Sequence, residues 1–126
     1  MKVLLDTHTF LWGITDESKV PLRVRSLILS AEPWLSVASI WEILTKVQLG
    51  KLDFPKPSGP FLVSKLSFNG IQILPITLRH VLRVESMELF HRDPFDRLLI
   101  AQSIEEGWPI VTADPWFARY PVDVIW

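Results

Sequence analysis

Residues 2–12 read KVLLDTHTFLW and place one acid between a strand-like run and a helix-like run. Lys2–Leu5 is a short run typical of a strand, and residues 10–12 follow it with helical character. Asp6 lies directly after the predicted strand. This order of a strand, an acid and a helix is the first indication of an α/β sheet whose strand ends carry functional side chains.

The same alternation continues along the whole chain. Four further strands are predicted at residues 34–37, 71–76, 109–112 and 122–125. Helices are predicted from Pro21 to the break at Glu32-Pro33, over 38–49 and 61–68, from Thr77 to about Phe90, from Asp93-Pro94 to Gly107, and briefly after Asp114-Pro115. This alternation predicts an α/β sandwich with a mostly parallel central sheet flanked by helices.

Length and composition indicate one globular domain over residues 1–126, because 48% of the chain is hydrophobic. The formal net charge is −1, so any contact with nucleic acid must be local rather than due to a basic surface. Cysteine is absent, which excludes disulfides, thiolate zinc sites and cysteine nucleophiles.

Localisation is expected to be cytoplasmic. Asp6 and His8 interrupt the N-terminal apolar stretch before it could act as a signal-peptide core. The later apolar runs are too short to span a bilayer as a helix, so no membrane association is expected.

Four acids are the candidate functional residues: Asp6, Glu42, Asp96 and Asp114. Two of them follow predicted strands, one lies in the first turn of a helix, and one lies in the middle of a helix. In a parallel sheet these positions lie at the same rim, beyond the carboxyl ends of the strands. The joint pattern therefore predicts a cluster of carboxylates.

Each acid also has a structural interpretation. Asp6 and Asp114 each precede a predicted helix and could cap it, and Asp96 could favour the positive end of its helix. Asp93 is interpreted as the N-cap of the same helix, because the following proline suits the first helical position. Glu42 could form an ordinary surface pair with a lysine four residues on.

A cluster of four carboxylates needs a cation to offset its repulsion. Oxygen ligands without cysteine favour Mg²⁺ or Mn²⁺ over zinc. Such a site suits phosphodiester hydrolysis, in which the metal activates a water and stabilises charge on the attacking and leaving oxygens.

Four segments carrying these acids, LLDTH, SVASIWEILTK, DPFDRLLIAQS and IVTAD, together resemble the PIN domain, specifically the VapC-type toxins of bacterial toxin–antitoxin pairs. The resemblance covers almost the whole chain. It implies a PIN-like three-layer sandwich, a Mg²⁺- or Mn²⁺-dependent endoribonuclease acting on RNA, and a cognate antitoxin protein as partner. The family resemblance and the Trp-bearing helices also suggest a homodimer.

The resemblance maps the family's catalytic and metal-binding acids onto Asp6, Glu42, Asp96 and Asp114. Thr112 matches a hydroxyl position that supports a metal-bound water or the neighbouring acid, and its alternative is a β-branched strand residue. Ser39 is a similar but weaker supporting candidate.

Three basic residues are candidates for RNA phosphate contacts: Lys46, Arg92 and Arg97. Lys46 shares a helical stripe with Glu42, and its alternative is an ion pair with that acid. The two arginines could instead neutralise the nearby acids. His8 is more simply a packed neutral histidine than a general base.

Two other functions compete with this interpretation. An aspartyl-phosphate phosphatase would need a second acid two residues after Asp6, where this chain has His8. A non-catalytic PIN-like module that binds RNA or protein stays open, although such a module would be expected to have lost at least one of the four acids.

Overall fold

The computed structural model describes all 126 residues and contains a five-stranded sheet. The strands are β1 (Lys2–Leu5), β2 (Glu32–Ser36), β3 (Gln72–Leu74), β4 (Ile110–Val111) and β5 (Val124–Ile125). Their order across the sheet is β3-β2-β1-β4-β5, and all four neighbouring pairs are parallel. The predicted mixed α/β architecture with a parallel central sheet is therefore confirmed.

Helices cover both faces of the sheet. They are α1 (Thr7–Thr15), α2 (Leu22–Ser30), α3 (Val37–Gln48), α4 (Ser58–Phe68), α5 (Leu78–Glu85) and α6 (Pro94–Glu106), with short 3-10 helices at Glu17–Lys19 and Pro115–Arg119. Val3 and Leu5 of β1 pack into one core cluster with α1, α2 and α4, whereas Leu4 packs into a second cluster with α6. This alternation follows from the period-2 geometry of a strand buried on both faces. None of the helices is long and apolar enough to cross a membrane.

The strand order places a topological switch point between β1 and β4. The chain moves from β1 outward through β2 and β3 on one side, then returns to place β4 and β5 on the other side of β1. Connections that leave the carboxyl ends of β1 and β4 therefore run in opposite directions and open a crevice between them. The acids that follow these two strands border that crevice.

Strand β2 begins two residues earlier than predicted because it accommodates Pro33. Pro33 pairs in register with Val3 of β1, but the pairing of β2 with β3 starts only at Trp34. Glu32 donates its backbone N–H to Met1 O at 2.7 Å, so the next backbone nitrogen faces the other side, where no partner strand has begun. The missing N–H of proline thus costs no ladder hydrogen bond.

Several predicted elements are shorter in the structure, including the strands predicted over 109–112 and 122–125, which are limited to Ile110–Val111 and Val124–Ile125. The strand predicted over 71–76 is limited to Gln72–Leu74 and is followed by Pro75. The helix predicted to reach about Phe90 ends at Glu85. Its predicted cap at Thr77 is present, and the side chain of His80 completes a capping box at the same helix start.

Gly107 ends α6 with a left-handed φ of 70°, and its N–H donates to Ser103 O at 2.9 Å. Gly107→Ala should lower the free energy of unfolding by about 1 kcal/mol, because a Cβ is strained at this φ. Gly13→Ala is the matched control: Gly13 lies inside α1, and a Cβ there meets no atom within 4 Å. In this control the free energy of unfolding should rise by up to about 1 kcal/mol. Urea denaturation measures both, and a Gly107→Ala variant as stable as wild type would contradict the cap.

Candidate functional site

The four predicted acids lie at one edge of the sheet. Asp6 follows β1, Asp114 follows β4, Glu42 lies in α3, and Asp96 lies in the first turn of α6. The pKa of Asp96 is raised to about 8, chiefly by burial and then by the negative charges of Asp6, Asp93, Glu42 and Asp114 in that order. The structure therefore brings the four acids close enough to share one electrostatic environment.

Asp6 is nearly fully buried at the end of β1, with 4% of the residue exposed. Its backbone N–H donates to Val111 O at 3.0 Å, which fixes Asp6 at the end of β1 beside β4. Oδ2 accepts a hydrogen bond from Thr112 Oγ1 at 2.8 Å, whereas the buried Oδ1 accepts none. Burial is the main cause that raises the pKa of Asp6. Although Asp6 precedes α1, its side chain makes no capping hydrogen bond, so the capping interpretation does not apply.

Thr112 connects the two acids that follow β1 and β4. Its hydroxyl donates to Asp6 Oδ2 and accepts the backbone N–H of Asp114 at 3.0 Å. Thr112 is 1% exposed, so neither contact competes with water. This geometry suits a supporting role toward the neighbouring acid better than a purely strand-forming role.

Glu42 is buried, in contrast to the surface pair considered from its helical spacing. Glu42 is 3% exposed. Its Oε1 lies 2.8 Å from Thr7 Oγ1, and its Oε2 lies 2.9 Å from Lys46 Nζ. Ser39 Oγ lies 2.9 Å from the same Thr7 hydroxyl, which donates to the carboxylate and can accept from Ser39. Ser39 thus acts on Glu42 through Thr7, a residue that the sequence reasoning did not identify.

Asp93 and Asp96 make different contacts, and the predicted N-cap at Asp93 is present. Asp93 Oδ1 accepts the backbone N–H groups of Phe95 at 2.9 Å and Asp96 at 3.1 Å, so Asp93 is the N-cap of α6. The Asp96 side chain makes no capping bond. It is only 16% exposed and is directed into the acidic cluster.

Asp114 combines both proposed roles. Its Oδ1 accepts the N–H of Trp116 at 2.9 Å and caps the 3-10 helix that Pro115 begins. Its Oδ2 remains on the side of the acidic cluster. A capping contact and a place in the site are therefore compatible in this residue.

His91 is a site residue that the sequence reasoning missed. Its Nε2 lies 3.0 Å from Asp96 Oδ2 and 3.2 Å from Asp114 Oδ2. His91 stands two residues before Asp93 in the segment HRDPFDR, which was the only available signal. Its contact with Asp114 depends on how the loop before α6 folds back, and local sequence does not specify that.

The structure does not support a phosphate contact by Arg97. Arg97 is 8% exposed, and its guanidinium donates to the backbone carbonyls of Glu88 at 2.8 Å, Val84 at 3.2 Å and His91 at 3.4 Å. It forms no ion pair with an acid either, because its donors are used to hold the loop between α5 and α6. Arg92 is exposed and forms no ion pair, so it remains accessible to a ligand.

The donor set fits a hard divalent cation. All four acids offer oxygen, and His91, Asp96 and Asp114 each place one potential ligand atom within 4.8 Å of the others. Asp6 Oδ1 is buried without a hydrogen bond, which is costly unless a ligand compensates it. Oxygen-rich sites of this kind suit Mg²⁺ or Mn²⁺.

Comparison with known protein families gives one clear match. The model of the PIN domain family matches residues 3–123, nearly the whole chain. No curated protein gives a significant match.

Solved structures share the fold over almost their full length. The VapBC2 structure from Rickettsia felis, bound to a promoter DNA fragment, has a TM-score of 0.75 at 16% identity and covers 99% of this chain and 98% of that one. FitAcB from Neisseria gonorrhoeae has a TM-score of 0.69 at 20% identity, with 98% and 96% covered. A toxin–antitoxin complex from Klebsiella pneumoniae has a TM-score of 0.67 at 13% identity, with 98% and 96% covered. At these identities the likeness establishes the fold.

Asp96→Asn tests the electrostatic environment of the cluster in chelator-containing buffer. The pKa of Asp96 rises from 3.8 in the unfolded chain to about 8 in the fold. Between these values the folded state holds a proton that the unfolded chain releases, so raising the pH favours unfolding. Wild type should lose stability from pH 4 to pH 8, the interval bounded by those two values. Near pH 8 the variant should have a melting temperature about 5 °C above that of wild type. Near pH 4 the two melting temperatures should be equal.

The control for this measurement is Asp123→Asn, which makes the same change at an exposed position outside the cluster. Its melting temperature should differ from wild type by the same amount at both pH values. A difference for Asp96→Asn that does not depend on pH would show that Asp96 has an ordinary pKa.

Proposed function

Because the chain belongs to the PIN domain family, we propose that it is a metal-dependent endoribonuclease. The observation that carries this proposal is the gathering of four carboxylates at the switch point of the sheet, where burial and the neighbouring negative charges together raise the pKa of Asp96 to about 8. Asp6, Glu42, Asp96 and Asp114 would be its catalytic and metal-binding residues. Residues 1–126 would form one PIN-like domain.

The residues that would hold Mg²⁺ or Mn²⁺ differ in how free their oxygens are. Asp6 Oδ1 accepts no hydrogen bond, whereas both oxygens of Glu42 accept one, from Thr7 and Lys46. A bound cation would supply an activated water and would offset the charge that develops on the phosphodiester oxygens. Asp6 is held in place by Thr112, and this fixed geometry avoids reorganisation during the reaction.

Phosphate binding would fall to two of the three predicted basic residues. Lys46 is 36% exposed at its side chain and is paired to Glu42, so it can offer remaining N–H donors at the edge of the acidic cluster. Arg92 is exposed in the loop just before α6. Arg97 is not included, because its guanidinium is used by backbone carbonyls.

The biological role that we propose is the toxin of a VapBC-type toxin–antitoxin pair. The solved structures with this fold include VapBC2 and a complex described as toxin–antitoxin. The cognate antitoxin would be a separate protein that covers the site, for example with a basic side chain that reaches the acids. Such a contact would use the same charge complementarity that attracts a divalent cation.

RNA cleavage should require Mg²⁺ or Mn²⁺ and should stop with chelator. Asp6→Asn, Asp96→Asn and Asp114→Asn should each lower the cleavage rate by at least about 100-fold, because each removes a carboxylate charge from the metal site. Asp93→Asn is the matched control: Asn also caps a helix, so cleavage should stay near the wild-type rate.

The measurement is fragment formation from assorted RNAs at saturating metal. Activity that survives exhaustive chelation would contradict the metal mechanism. Binding of RNA without cleavage by the wild-type protein would favour the alternative, a non-catalytic PIN-like binding module. If Asp96→Asn cleaves RNA at the wild-type rate while Asp93→Asn is inactive, then Asp93, and not Asp96, is the metal-binding acid of α6.

The chain should form a homodimer. Large apolar side chains are exposed on several helices, including Trp41 at 59% and Phe68 at 86%, and burial of such surface drives association. Light scattering at increasing protein concentration should give a mass of twice 14.5 kDa. A mass that stays at 14.5 kDa at the highest concentration would contradict the dimer.

A further inference from the structure

His91 lies between two acids of the proposed metal site, with Nε2 3.0 Å from Asp96 Oδ2 and 3.2 Å from Asp114 Oδ2. We propose that His91 is a positioning residue of this site, which donates its Nε2–H to Asp114 Oδ2, lies against Asp96 Oδ2, and does not bind the cation itself. This inference rests on the proposed function, since it assigns a role toward the same cation. It concerns a residue outside the four acids.

The hydrogen bond on the other side of the ring decides which nitrogen carries the proton. The backbone N–H of Asp93 donates to His91 Nδ1 at 3.3 Å. A proton on Nδ1 would face that N–H, so in the neutral ring the proton belongs on Nε2. A nitrogen that carries a proton has no lone pair for a metal ion. Nε2 therefore acts as a donor, and its hydrogen bond goes to Asp114 Oδ2.

The position of His91 is fixed by contacts that do not involve the acids. Its backbone N–H donates to Tyr120 Oη at 2.8 Å, and its ring lies edge-on to Phe117 with centroids 5.9 Å apart. Arg97 donates to the carbonyls of His91 and Glu88, and Tyr120 donates to the same Glu88 carbonyl at 2.8 Å. These contacts form a clamp, made of Arg97 and Tyr120, that holds the loop. The imidazole is thus presented to the acids from a rigid support.

The consequence is a choice of carboxylate oxygens. Asp114 already uses Oδ1 to accept the N–H of Trp116, so the contact with His91 engages its second oxygen. Asp96 Oδ2 lies 3.0 Å from the same Nε2 but outside hydrogen-bond geometry, so neither oxygen of Asp96 is engaged by this donor. His91 therefore fixes the orientation of the Asp114 carboxylate beside Asp96 and leaves both Asp96 oxygens for a ligand.

Two variants separate a donor from a ligand. His91→Phe keeps an aromatic ring beside Phe117 but removes the donor, and it should weaken Mn²⁺ binding by about 10-fold or more, as loss of a supporting hydrogen bond to a ligand does. His91→Gln restores an N–H donor without an imidazole and should recover most of the affinity. His8→Phe is the matched control, because His8 is exposed beside Trp12 and contacts neither Asp96 nor Asp114. A charge on His8 would act on Asp6, so this variant should change the affinity far less than His91→Phe does.

Isothermal titration calorimetry with Mn²⁺ gives these affinities, after circular dichroism has shown that each variant is folded. Electron spin echo envelope modulation of bound Mn²⁺ should show no directly coordinated nitrogen. A coordinated nitrogen in wild type that disappears in His91→Phe would overturn the proposal, since His91 would then be a ligand. Equal loss of affinity in the Phe and Gln variants, or no loss in either, would overturn it too.

A measurement without metal tests the hydrogen bond independently. Long-range ¹H–¹⁵N correlation spectra of the histidine rings should show the Nε2–H tautomer for His91, and the Nδ1–H tautomer would overturn the assignment. If wild type shows the expected tautomer but binds no Mn²⁺, the metal site of the proposed function fails, and with it the positioning role toward a cation.

Discussion

Repulsion between buried carboxylates is the constraint that organises this structure. Asp6 and Glu42 are almost fully buried, and the pKa of Asp96 rises to about 8 because burial is compounded by neighbouring negative charges. Such a cluster is tolerated only where other groups offset it. Around it the protein places a threonine hydroxyl, the Lys46 ammonium and the His91 imidazole, each within 3.2 Å of a carboxylate oxygen.

The sheet topology explains why the cluster forms where it does. The strand order separates the connections that leave β1 and β4, and the resulting crevice receives Asp6, Thr112 and Asp114. Helices α3 and α6 then contribute Glu42 and Asp96 from the two flanking layers. The stability of the fold and the assembly of the site therefore come from the same arrangement of parallel strands, and the acids add a local electrostatic cost to it.

Sequence reasoning recovered what local rules determine. The strand before Asp6 follows from apolar patterning, and the division of labour between Asp93 and Asp96 follows from the proline between them. It did not recover contacts made when distant segments meet. His91 reaches the acids only because the loop before α6 folds back. Arg97 was a candidate for a phosphate contact because no local sequence pattern shows that backbone carbonyls bury its guanidinium. The start of β2 also differs from the prediction, by two residues, since the tolerance of a proline depends on where the neighbouring strand begins.

Adjacent residues of α6 serve opposite purposes, and this has a consequence for genetics. Asp96 enters the acidic cluster, whereas Arg97, next to it, secures the loop that carries His91. A screen for inactive alleles would therefore recover changes at both positions and score them alike. The arginine alleles would owe their phenotype to a displaced backbone, so even lysine would fail there, because an ammonium cannot span three carbonyls as a guanidinium does. Mutational sensitivity at this helix start would overstate the number of groups that meet the substrate.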